Sequence, residues 1–257
     1  MSGAAIDRDA QARAFRALHH GPTPLVLPNA WDAGSAKAIE AAGAPAIATT
    51  SAGVSWALGV EDGGGLSRAD ALDALRRIVA VVSVPVTADI EAGYGATPAD
   101  VASTVAEVIT IGAVGINLED SLNGSLLEAT VQAERIAAAR EAAVAAGLDL
   151  CINARTDTYL LGDGTGTLQR AKLYAEAGAD VLFVPGVTDP PTIQDLVTGS
   201  PLPLNIMVGP GSPSIGDLTT LGVARVSLGP AITTAAYNLA ATTTHELLAA
   251  GTYTTLA

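Results

Sequence analysis

The sequence predicts an α/β fold, a (β/α)8 TIM barrel forming a single domain over residues 1–257, and three observations carry the prediction. An Ala-rich helix end, a glycine and an apolar run recur in "EAAGAPAIATT", "VITIGAVGINLE", "VAAGLDLCINA", "AEAGADVLFVPG" and "TTLGVARVSLG". Strand-length apolar segments number eight, the count that closes such a barrel. These segments lack hydrophobic/polar alternation, as parallel strands covered on both faces should.

In chain order, the strands are "PLVLPN", "GAPAIATT", "VPVTAD", "VGINLE", "LDLCINA", "DVLFVPG", "LPLNIMVG" and "VARVSLG". They end near Pro28, Thr50, Asp89, Leu118, Ala154, Val184, Met207 and Leu228. Gly43, Gly112, Gly147, Gly178 and Gly222 stand where a helix must exit through a left-handed residue. Helix starts are marked by Ser67 before "RADALDALRRIVAVV" and by Thr97 followed by Pro98, a proline at the first-turn position it favours. The competing architecture is an open doubly wound sheet, which would carry a Gly-rich phosphate turn after its first strand. The turn there reads "LPNAWDAGS", which does not fit.

The chain is 49% hydrophobic and 15% charged, enough to bury a large core. With 13 Lys plus Arg against 26 Asp plus Glu, its net charge of −13 disfavours nucleic acid and anionic membrane as partners. A small anionic substrate then needs a local cluster of cationic groups or a metal. The single cysteine, Cys151, rules out an internal disulfide and reads as a small core residue. No apolar signal core or membrane-length run is present, and the expectation is a cytoplasmic protein.

In a barrel, chemistry sits where strands end at the C-terminal face. In "PVTADIEAGYG", Asp89 and Glu91 are two apart and share one side if the strand continues that far. "INLEDS" adds Glu119 and Asp120, and "LGVEDGGG" adds Glu61 and Asp62. Carboxylates converging from three loops repel one another unless protonated or sharing a cation, and all-oxygen ligation suits Mg2+ or Mn2+. His19, His20 and His245 lie in terminal helical regions, which argues against a His-based zinc site. Each acid taken alone also fits a helix cap or a rim ion pair. "INARTD" places Arg155 beside Asp157, suited to bidentate recognition of a carboxylate or phosphoryl group, or to a structural pair. Trp31 and Trp56 wall the pocket or pack ordinarily. Asn205 and "VGPGSPS" follow strand seven and either hydrogen-bond a substrate or turn the chain. "LLGDGTGT" lacks a dinucleotide fingerprint and reads as a loop.

The motifs "TTSAGVSWALGVEDGGG", "VTADIEAGYG", "GINLEDS" and "INARTD" resemble, in order, those of the isocitrate lyase and phosphoenolpyruvate mutase superfamily, from about Leu25 to Pro230. The resemblance implies a barrel whose eighth helix is often exchanged between subunits, assembly as a homodimer or homotetramer, and Mg2+ holding a small carboxylate substrate through an enolate-like state. It further implies that Asp89 is the direct metal ligand and that Asp62, Glu91 and Glu119 hold metal-bound water. Arg155 corresponds to the substrate-binding arginine. Thr50, Ser51 and Ala52 correspond to the turn that binds the substrate carboxylate, and Tyr94 and Gly95 to the Gly-Tyr-Gly turn. Members cleaving isocitrate or methylisocitrate carry an acid-bearing cysteine in the loop after Leu-Glu-Asp, and phosphonomutases a lysine. Here the loop reads "EDSLNGSLLE", with neither. The expected activity is carbon–carbon cleavage or decarboxylation of an oxaloacetate-like acid. The alternatives are phosphonomutase chemistry and a barrel that binds a dicarboxylate without turning it over.

Overall fold

The structure, a computed structural model, describes residues 7–256. Nine parallel strands form the main sheet: β1 (Leu25–Leu27), β2 (Asn29–Ala30), β3 (Ile47–Thr49), β4 (Val86–Asp89), β5 (Gly115–Glu119), then, beyond a small hairpin of β6 (Ser121–Leu122) and β7 (Ser125–Leu126), β8 (Cys151–Arg155), β9 (Val181–Val184), β10 (Leu204–Met207) and β11 (Arg225–Ser227). The first barrel strand is divided at Pro28, which has no N–H to give to a ladder. Its first half, β1, pairs with β11 and its second half, β2, with β3, so one divided strand closes the barrel. The carbonyl of Pro28 still accepts from the Ala48 N–H at 3.1 Å.

The helices are α1 (Arg8–Ala17), α2 (Ala33–Ala41), α3 (Ser51–Ala57), α4 (Arg68–Val79), α5 (Pro98–Ile111), α6 (Ala129–Ala145), α7 (Thr167–Glu176), α8 (Pro190–Gly199), α9 (Ile215–Thr220) and α10 (Ala231–Ala250). Ser67 and Thr97 cap α4 and α5 as expected, Thr97 in a reciprocal capping box with Asp100. The five cadence glycines all have φ between 68° and 107°. A side chain at any of them would be forced into the left-handed region.

The floor of the barrel is closed by α1 and the 3-10 turn Leu18–His20. Arg16 forms ion pairs with Asp149 and Asp180, which lie just before β8 and β9. Phe15 is fully buried against Gly115, where a Cβ would come within 2.9 Å of its ring. Cys151 lies in the core, its thiol pushed up to about 12 by burial. At the other extreme, α10 buries only Thr233 and exposes Tyr237, Leu239, Leu247 and Leu248. No described helix is long and apolar enough to cross a membrane.

Two local expectations are corrected. Strand β4 stops at Asp89, and Glu91 has φ 49°, so the two acids are not alternate residues of one strand. Asp120 does not face the mouth. It is fully buried on the opposite side, accepting from Asp157 N–H, Tyr174 Oη and Arg170 Nη1.

Candidate active site at the barrel mouth

The strand segment Val86–Asp89 carries Asp89 from the core to the rim. Its Oδ1 accepts from Asn117 Nδ2 at 3.1 Å and from the Glu91 N–H at 3.3 Å, and its Oδ2 from the Ser51 N–H at 3.2 Å. Asn153 Nδ2 in turn donates to Asn117 Oδ1 at 2.9 Å, a polar relay through β4, β5 and β8. Register explains it: Asp89, Asn117 and Asn153 are lateral neighbours, so their side chains share the inward face.

After Asp89 the chain turns sharply. Gly93 N–H donates to the Ile90 carbonyl at 2.7 Å, and Glu91 and Tyr94 take left-handed conformations. This turn, not strand alternation, returns the Glu91 carboxylate to the mouth, where it accepts from Gly64 N–H at 3.1 Å and Tyr94 Oη at 3.2 Å. Gly95 is required by close approach, since a Cβ there would collide with Asp100. The fully buried Arg135 of α6 pins the turn by donating to the carbonyls of Ala92, Gly95 and Ala96.

Arg155, the last residue of β8, donates through Nε and Nη2 to Asp157 at 2.6 and 3.1 Å, and its Nη1 lies 2.9 Å from Glu119 Oε2. Three of its five N–H groups are thereby committed, leaving two for a ligand. The guanidinium lies 5.9 Å from the Phe183 ring centroid. Both structural pairing and a free donor edge therefore coexist in one side chain.

Two cavities meet here. An inner chamber of about 170 Å3 descends between Thr50, Ala52, Asp89, Asn117 and Arg225. An outer vestibule of about 370 Å3 is walled by Gly64, Glu91, Glu119, the β6–β7 hairpin and Leu161. Ser51, Asp62 and Arg155 line both and form the partition. Burial pushes the Glu119 carboxyl up to about 8, against the pull of Arg155, and Asp89 adds to the rise. Burial and the charge of Asp89 likewise raise Glu91 and Asp62. Among the described residues no three His, Cys, Asp or Glu side chains converge to chelate an ion directly. The donor set fits a hard cation held by one carboxylate, with the surrounding acids on its water shell, since a cation relieves the repulsion that raises them.

The remaining sequence-derived residues sort by place. Thr50 and Ala52 line the inner chamber. Tyr94 and Gly95 line neither cavity, and Tyr94 reaches the site only through Glu91. Asn205 lies within β10, fully buried, its Oδ1 accepting from Ser227 Oγ, and lines neither cavity. Trp31 packs edge-on against Tyr237 of α10, and neither it nor Trp56 walls the mouth. Sequence reasoning missed Asn117, Arg135, Ser121 and Arg225. The first and last are inward strand positions that a polar residue in an otherwise apolar run could have flagged.

The phosphoenolpyruvate phosphomutase family model matches residues 15–248. The chain belongs to the phosphoenolpyruvate phosphomutase family. An uncharacterized protein of Mycobacterium tuberculosis is 43% identical over 218 residues, 84% of this chain and 81% of that one. The 2-methylisocitrate lyase of Escherichia coli is 33% identical over 187 residues, 69% of this chain but only 62% of that enzyme. Among solved structures, a Burkholderia cenocepacia protein described provisionally as a phosphonomutase superposes with a TM-score of 0.88 at 45% identity, covering 91% of this chain and 98% of that one. Oxaloacetate acetylhydrolase bound to its product oxalate superposes with a TM-score of 0.86 at 26% identity, covering 95% and 88%. The phosphomutase family thus includes lyases and mutases that share this barrel.

Proposed function

We propose that this protein is a Mg2+-dependent lyase acting on a small 2-oxo dicarboxylate of the oxaloacetate type, by carbon–carbon cleavage or decarboxylation. The observation that carries the reading is the convergence of Asp62, Asp89, Glu91 and Glu119 on a partition that also holds Arg155. Asp89 would hold the cation directly, and Asp62, Glu91 and Glu119 its water. When bound, the cation polarises the 2-oxo group and provides a sink for charge developing on the adjacent carbon. Arg155 orients the substrate carboxylate with its two uncommitted N–H groups, and the turn Thr50–Ala52 brings the Ala52 backbone N–H to the same rim, the Ser51 N–H being held by Asp89. Tyr94 and Arg135 hold Glu91 and its turn in place. Exposed α10 supports assembly into a homodimer or homotetramer through exchange of that helix, and a cytoplasmic setting completes the reading.

The closeness to the provisional phosphonomutase favours a second reading, P–C bond chemistry with the same metal and arginine. A Mg2+-dependent screen of oxaloacetate, substituted malates, isocitrate, methylisocitrate and phosphonopyruvate, with products identified by mass, separates the two. Turnover of oxaloacetate that stops with chelator is expected. Asp89→Asn should fold, lose that turnover, and lose Mg2+ binding in calorimetry with oxalate present. Unchanged Mg2+ affinity in Asp89→Asn would remove Asp89 as the ligand, and no turnover of any substrate would leave a binding barrel.

A further inference from the structure

Arg225 opens strand β11 and is only 2% exposed, yet its side chain makes no hydrogen bond or ion pair with any described residue. Its Nε and Nη1 are wholly buried without a partner. Burial lowers its pKa to about 10. The charge of Asp89 opposes that lowering only in part, and Asp89 makes no ion pair with Arg225. A buried guanidinium without a paired carboxylate is costly, so its persistence calls for something that supplies the missing contact.

Its place in the sheet indicates what that is. Following the register, Glu119, Arg155, Phe183, Asn205 and Arg225 are lateral neighbours from β5 to β11, so all five face inward. Strand tilt makes such rows run obliquely to the barrel axis. The row leaves the rim at Arg155, the last residue of β8, and reaches the depth of the inner chamber at Arg225, the first of β11. Arg225 lines that chamber together with Arg155. Thr87 Oγ1, in the same chamber, and Asn205 Nδ2, beside Arg225 in the register, are also buried without partners. Within the chamber itself, Arg225 and Thr87 therefore present unspent donors, and Arg225 sets a positive charge apart from the carboxylates of Asp62 and Asp89 that line it too. At about 170 Å3 it admits only a small ligand.

We propose that Arg225 is the receptor for a second carboxylate, so that the inner chamber takes a short dicarboxylate spanning from Arg155 at the rim to Arg225 below. This deepens the reading of the mouth as a carboxylate lyase site and rests on it: Arg225 is the residue that selects a dicarboxylate over a monocarboxylate 2-oxo acid. The competing role is a floor contact. Burial, and to a lesser degree the charge of Arg225, depress the His19 pKa to about 3, and its Nε2 is also buried and unpartnered.

The test uses the full chain without metal, so that binding is read independently of turnover. Malonate and succinate, with acetate and pyruvate as monocarboxylate controls, are titrated by calorimetry and by thermal shift. The unsubstituted protein should bind a dicarboxylate at least about tenfold more tightly than either control, the scale of one charge-assisted contact. Arg225→Met should abolish that preference and raise the Tm of the ligand-free protein, because it removes a buried charge that has no paired carboxylate. Arg225→Lys should keep part of the preference. The proposal is overturned if the unsubstituted protein shows no dicarboxylate preference, if Arg225→Met retains it, or if Arg225→Met lowers the ligand-free Tm. Failure of both variants to fold would make Arg225 a structural floor residue and overturn it equally. Loss of preference in Arg225→Met, with no Mg2+-dependent turnover of any acid, would sink the lyase reading alone. Turnover of oxaloacetate at unchanged KM in Arg225→Met would sink this one alone.

Discussion

Arg155 spends three N–H groups on its own protein's carboxylates before any substrate arrives. That commitment fixes the guanidinium plane, and the two remaining donors are pre-aimed, which lowers the ordering cost of capture. Arg155→Lys keeps the charge but cannot hold Asp157 and Glu119 while also presenting a fork. We expect kcat/KM to fall on the order of 10- to 100-fold, with Mg2+ affinity little changed. Unaltered steady-state constants in the variant would make Arg155 purely structural. Asp89, Glu91, Glu119 and Arg155 were legible because their motif letters sit at predicted strand ends. Asp120 was misread because neighbours at a strand end point to opposite faces, and only Tyr174 and Arg170, distant in the chain, show which one it takes. Asn205 was placed after a strand that in fact contains it.

At the scale of elements, the β6–β7 hairpin decides which reactions are open to the mouth. It turns at Asn123 and Gly124, with φ of 52° and 74°. This hairpin is not among the eight expected strands, although Asn-Gly is a strong short-range hairpin signal. The hairpin brings Ser121, Leu122, Asn123 and Gly124 to the vestibule, and Ser121 Oγ is already bound to Asp157 at 2.5 Å. Glu128 is exposed at the start of α6 and lines neither cavity. Glu119, though raised to about 8, is held by Arg155, and a cation in the mouth would favour its ionised form. A positioned general acid contributes roughly 100- to 10,000-fold. Methylisocitrate and isocitrate cleavage should therefore lie near background despite the 33% identity to a 2-methylisocitrate lyase. Efficient methylisocitrate cleavage persisting in Glu128→Gln would expose an acid this geometry does not contain.

For the molecule as a whole, the crowded mouth should leave a mark on stability. Glu119 is raised to about 8, and Glu91 and Asp62 are raised as well. Between its unfolded value and about 8 the native state holds more of the Glu119 proton than the unfolded chain does, so stability falls as pH rises. His19, depressed to about 3 by burial, acts oppositely, but its contribution is complete once pH exceeds the ordinary histidine range. From about pH 7 to about pH 8.5 the acids should govern: Tm falls in chelator and is restored by Mg2+, more at the upper end than at the lower. A flat profile insensitive to Mg2+ would count against the carboxylate cluster. The barrel itself was readable from strand count and cadence glycines, whereas the division at Pro28 was not, because nothing local distinguishes a proline that ends a strand from one that splits it. That divided strand also bears on how the chain reaches its native state. Leu25 and Arg225 are paired across the seam although they lie two hundred positions apart, so closure carries the largest loop entropy in the sheet. The chamber into which Arg225 projects is then completed only when the seam zips, and a chain still missing its last strand has the metal-side acids but no floor arginine. Pulse-labelling hydrogen exchange during refolding should find the Leu25 amide, bonded to the Ala224 carbonyl at 2.9 Å, among the last to gain protection, and early protection there would contradict this order.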